Sequence, residues 1–84
     1  MLERGTVVIS LAGRDKGRLL AVMQASENQV TVCDGKERPI DRPKSKNIRH
    51  VERVDASVTE AEMATNRALK KALARLDAEI NGNT

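Results

Sequence analysis

The 84-residue sequence contains no phenylalanine, tyrosine or tryptophan. Val, Ile, Leu, Met and Ala must therefore supply all of the burial, in a chain short enough to hide only a modest share of its surface. Base stacking on aromatic side chains, the device of RRM and OB-fold surfaces, is excluded. So is an aromatic cage for methylated lysine. The single cysteine, Cys33, excludes an intramolecular disulfide and suits a reducing compartment. Met1-Leu2-Glu3-Arg4-Gly5 lacks a basic segment followed by an apolar signal core, and no apolar run approaches a membrane span. A cytoplasmic location is the expectation.

Chemistry-bearing motifs are equally scarce. His50 is the only histidine and has no Cys or His at ligand spacing, so no zinc site is expected. Cys33 has no base partner suggested by the sequence and reads as a small apolar residue in a strand. Gly13-x-x-x-Gly17-Arg18 lacks the four-residue gap and the Lys-Ser/Thr ending of a nucleotide-binding loop. No pair of carboxylates stands at acid/base spacing. Neither a cofactor nor enzymatic activity is expected.

What the sequence does have is basic charge, unevenly placed. Residues 1–54 carry 11 Lys/Arg against 7 Asp/Glu, whereas residues 55–84 carry 4 against 5. A local positive excess attracts polyanions, because neutralised phosphates release their counterions.

The first two-thirds read as β structure. Val7, Ile9 and Leu11 alternate with Thr6, Val8, Ser10 and Ala12, which predicts a strand over 6–12. Two glycines then bracket three charges in Gly13-Arg14-Asp15-Lys16-Gly17, as in a tight loop needing at least one unusual backbone angle. Leu19 to Met23 forms the returning strand, Ser26-Glu27-Asn28-Gln29 a turn, and Val30 to Cys33 a third strand. Asp34-Gly35 signals a type I′ hairpin turn, after which Lys36 to Ile40 would pair back. Pro39 and Pro43 cannot donate ladder hydrogen bonds, so this stretch is expected to be an edge strand or an irregular basic loop. Ile48 and Val51 return apolar groups to the core, and Val54 ends the barrel.

After Asp55 the periodicity changes. Ser57-x-x-Glu60 and Thr59-x-x-Glu62 both match a capping box. Leu69, Leu73, Leu76 and Ile80, with Ala61, Ala68 and Ala72, form one apolar stripe at helical spacing, and Asn81-Gly82 supplies a stop. The expected organisation is a barrel over 1–54, a linker and cap over 55–59, and an amphipathic helix from about Glu60 to Ile80.

The segment from Gly5 through the charged loop to Val22 resembles the KOW motif of ribosomal proteins and transcription elongation factors. Lys46-Asn47-Ile48-Arg49-His50-Val51-Glu52 is similar to the basic-Asn-Ile-x-His segment that closes the barrel in the fourteen-e class of archaeal and eukaryotic large-subunit ribosomal proteins. Together the two likenesses span residues 4–54. The resemblance implies an SH3-like barrel of about five strands whose loops bind RNA, chiefly ribosomal RNA, within a ribosome or another ribonucleoprotein; the C-terminal helix read from the periodicity after Asp55 is a departure from that class. Arg14, Lys16 and Arg18 fall at the loop positions that approach RNA in such proteins, and Gly17 at the motif glycine. Arg38, Arg42, Lys44, Lys46 and Arg49 form a second basic cluster whose prolines keep the backbone irregular and the cations presented. Asn47 is a further candidate, able to bond a ribose or simply to cap a turn. Without aromatic rings, recognition should rest on phosphate, 2′-hydroxyl and shape contacts, and because arginine can also stack on a base, sequence preference is weakened rather than excluded. The competing reading is a protein-interaction module docking on ribosome or transcription machinery through the barrel, or through Leu69, Leu73, Leu76 and Ile80 of the helix.

Overall fold

In the computed structural model, which describes residues 2–82, the fold is mainly β with one C-terminal helix. Five antiparallel strands run in the order β4-β3-β2-β1-β5: β1 (Thr6–Ser10), β2 (Leu19–Ala25), β3 (Gln29–Cys33), β4 (Lys44–Asn47) and β5 (Val51–Ser57). A 3-10 turn over Ile48–His50 carries the chain from one edge strand directly into the other, giving the small barrel-like arrangement expected. Strand β2 makes the curl. Its first half pairs with β1, Val7 opposite Ala21 and Ile9 opposite Leu19, and its second half pairs with β3. A register shift between Val22 and Gln24 bends it there, as an extra residue in one strand does.

The apolar pattern differs from the simple alternation read in the sequence. Val7 and Val8 are both fully buried, as are Leu20, Ala21 and Val22. Both faces of β1 and β2 are covered, so these strands need near-continuous apolar runs. Val8, Leu20, Val22, Val30, Val32 and Val51 pack together inside the curl. On the opposite face Val7, Leu19, Ala21 and Cys33 pack against Val58, Met63, Leu69, Ala72 and Leu73. Leu11, expected on the core face, lies beyond the end of β1 and is exposed.

The covering element is α1 (Asn66–Asn81), which starts later than the sequence suggested. Thr59 and Glu62 do form a capping box: the Glu62 carboxylate accepts from the Thr59 amide at 2.8 Å and the Thr59 hydroxyl accepts from the Glu62 amide at 3.1 Å. That box closes a separate turn. The helix itself is capped by Thr65, whose hydroxyl accepts from the Ala68 amide at 3.0 Å. Ser57 and Glu60 form no box, because Ser57 belongs to β5 and Glu60 is held by Arg4 at 2.8 Å. Ala61 accordingly lies outside the helix. Asn81 is the last helical residue, and the Gly82 amide donates to the Ala78 carbonyl at 2.7 Å.

The expected boundary at Val54 is also corrected. β5 continues to Ser57, and the Val58 amide donates to the Gly5 carbonyl at 2.8 Å, so 55–57 is sheet rather than linker. The helix and the outer face of the sheet share one of the two core clusters.

Candidate functional site

The loop between β1 and β2 is built from backbone bonds at its base and a buried carboxylate at its centre. The Ser10 amide donates to the Arg18 carbonyl at 3.0 Å and the Gly17 amide to the Ser10 carbonyl at 2.8 Å. Gly17 has φ +86°, a left-handed angle that only glycine adopts freely, as the sequence required at this point. Between the glycines Asp15 turns inward and is fully buried.

Asp15 meets two cations from distant parts of the chain. Arg38 approaches its Oδ2 with Nη2 at 3.1 Å and Nε at 3.2 Å, and Lys46 approaches the same oxygen with Nζ at 3.4 Å. Oδ1 is buried and has no hydrogen-bond partner. Burial pushes the Asp15 carboxyl up, but hydrogen bonds and charge from Arg38 and Lys46 outweigh it and hold the group below its ordinary value. It is a carboxylate at neutral pH.

The two basic clusters therefore divide by role. Arg38 and Lys46 are committed to Asp15, with side chains 23% and 9% exposed, so neither is the freely presented cation that the sequence suggested. Arg18 keeps an exposed guanidinium but pairs with Glu37 at 3.1 Å. Arg14, Lys16, Arg42, Lys44 and Arg49 are exposed and, among the described residues, make no ion pair. Asn47 serves locally: its Oδ1 accepts from the Arg49 amide at 2.9 Å and caps the 3-10 turn. His50 is exposed, and its carbonyl accepts from the Leu11 amide at 2.8 Å, which ties the 3-10 turn to the β1–β2 loop.

The β3–β4 connection differs from the predicted hairpin. Gly35 has φ +80°, but among the described residues no non-glycine has a positive φ, so Asp34 does not occupy a type I′ position. Instead the Asp34 carboxylate accepts from the amides of Lys36 and Arg38 at 2.8 and 2.9 Å, and the Arg38 carbonyl accepts from the Asp34 amide. Residues 36–40 form the irregular loop rather than a strand. Pairing with β3 resumes at Lys44, opposite Val32.

No family model and no curated protein matches the sequence.

Cys33 is fully buried, and burial followed by the charge of Asp34 pushes its thiol up to about 11, which removes it as a nucleophile near neutral pH. A shallow groove of about 350 Å³ lies between α1 and the β1–β2 loop, bordered by Arg18, Lys36, Lys70 and Asp77 over a floor of Leu19 and Leu73. No helix among the described residues is long and apolar enough to cross a membrane.

Three features escaped sequence reading. Asp15 looked like one more charge in a solvated loop, Met63 and Val58 were not recognised as core, and the bidentate Arg4–Glu60 pair joins residues 56 apart. Only Asp15 carried a usable signal: a lone acid among cations between two glycines.

Proposed function

We propose that the chain binds structured RNA, ribosomal RNA above all, through the exposed cations around the β1–β2 loop, as a ribosomal or ribosome-associated protein without enzymatic activity. The observation that carries this reading is the assembly around Asp15. It joins the loop bearing Arg14 and Lys16 to the connection bearing Arg42 and to the strand bearing Lys44. Phosphate contacts need exposed, unpaired cations on a fixed frame, and among the described residues this arrangement supplies both. The KOW-like residues support the same conclusion independently.

The leucine stripe no longer favours docking of a protein partner. Leu69 is fully buried and Leu73 is 6% exposed within the shared core, while only Ile80 is substantially open. The barrel surface remains the alternative docking face.

Binding measured by fluorescence anisotropy with ribosomal RNA fragments over a salt series tests the proposal. Wild-type affinity should fall steeply as salt rises, and Arg14, Lys16 and Lys44 changed together to Glu should abolish it. Salt-insensitive binding, or binding indifferent to the triple variant, would reject it.

A further inference from the structure

Surface charge alone predicts that removing an acid from a basic face strengthens its hold on a polyanion. The geometry around Asp15 points the other way. The carboxylate is fully buried, and its cationic partners come from the β3–β4 connection and from β4, segments 23 and 31 residues further along the chain. A phosphate cannot take its place, because Lys46 is itself almost enclosed. Among the described residues, the only other side-chain pair joining the loop to this connection is Arg18 with Glu37, at 46% and 40% exposure, and exposed pairs constrain little.

The assembly is also an expensive way to hold a loop. One carboxylate oxygen carries every contact and the other has none. Buried ion pairs commonly lose in desolvation what they gain in attraction, and an apolar filling is often as stable. What a buried carboxylate imposes that an apolar group does not is a single arrangement, since both cations must be in place before it can be enclosed. The triad also retains one net positive charge close beneath the exposed loop.

We propose that Asp15 is a positioning residue for RNA binding: a buried ionic latch that fixes the β1–β2 loop against the β3–β4 connection and β4, so that Arg14, Lys16, Arg42 and Lys44 meet the phosphates as one preorganised set. This rests on the RNA-binding reading above. It differs from a purely electrostatic account in the sign of one result. Asp15→Asn raises the net charge by one, yet binding becomes weaker.

The test uses the full chain. Affinities of wild type and D15N for a ribosomal RNA fragment and a duplex RNA hairpin are compared over a salt series, and backbone amide order at Gly13 and Gly17 is read by heteronuclear NMR relaxation without RNA. The latch predicts binding weaker by about fivefold or more, a shallower salt dependence by about one phosphate contact, and increased fast motion at both glycines. A variant that merely lost folded protein would lower the binding-competent fraction but leave the salt slope unchanged. Should the stranded Lys46 ammonium unfold D15N, D15N/K46M removes it and the same measurements are made there. Equal or tighter binding by the variant overturns the proposal, as does unchanged order at Gly13 and Gly17. Wild-type protein that ignores both RNAs would defeat the RNA reading, and the loop measurement on free protein would still decide whether Asp15 is a latch.

Discussion

Gly35 lies directly against the carbonyl of Asn66 in the first turn of α1, at a point where any Cβ would overlap that oxygen. The contact is reciprocal in effect, because the Asn66 side chain accepts from the Ile40 amide at 2.8 Å. Helix and β3–β4 connection are thus docked backbone to backbone. Gly35→Ala should cost more than Gly17→Ala, although both glycines have φ above +80° or at it. Gly17 faces open space, so alanine there meets only the backbone strain of about 1–2 kcal/mol. At Gly35 the clash adds to the strain, and each further kcal/mol should lower the melting temperature by about 4–8 °C. Thermal unfolding of the two variants side by side checks the difference.

Leu69 and Ile80 belong to one sequence stripe but to different environments. Leu69 is completely enclosed, while Ile80 is 47% exposed. Leu69→Ala is expected to destabilise by about 2–5 kcal/mol through lost burial and the cavity left behind. Ile80→Ala should remain within about 0.5 kcal/mol of wild type. Urea denaturation separates the two outcomes.

Cys33 should make the protein sensitive to alkali. Its thiol is raised in the folded state from 9.0 to about 11, so the unfolded chain loses this proton first. Stability is therefore complete below pH 9 and declines as pH rises toward 11, by about 2–3 kcal/mol at 1.36 kcal/mol per unit. Cys33→Ala should flatten that decline, whatever it does to stability at neutral pH. Urea unfolding at stepped pH measures it, and native protein should react with thiol reagents only through unfolding.

Acid should act in the opposite sense. The Asp15 carboxyl titrates below its usual 3.8 when folded, so its contribution is present above that value and is lost as pH falls through the folded pKa. Glu62, held low by the Thr59 amide and by Arg75, titrates in the same direction. D15N should therefore lose stability less steeply below pH ~4 than wild type, and Glu62→Gln should reduce the steepness in the same way. Stability curves between pH 2 and 5 would show it.

The first three strands and the helix were legible because their apolar residues leave local signatures, and β1, β2 and β3 fall close to the expected positions. Lys44–Asn47 was not legible as a strand. It has no apolar residue, and its place in the sheet comes from pairing with Val30 and Val32 of β3. The helix start was misplaced because Thr59-x-x-Glu62 satisfies every local rule for a cap, and only the path of the chain distinguishes it from Thr65.

Of the candidate site, the two basic clusters were visible as composition, but their division was not. Whether Lys46 faces water or Asp15 depends on a contact spanning 31 residues, which no local pattern encodes. Gly17 was readable for a simpler reason, since its backbone angle excludes most other residues.

Enclosure of β1 and β2 from both sides makes the polypeptide indivisible. A fragment stopping at 56 would keep every strand pairing but one, yet bare Val7, Leu19, Ala21 and Cys33 along the middle of the sheet. Such a strip invites neighbouring copies to adhere. Clipping by a protease before α1, or expressing residues 1–56 alone, should therefore yield clumped material instead of a smaller folded unit.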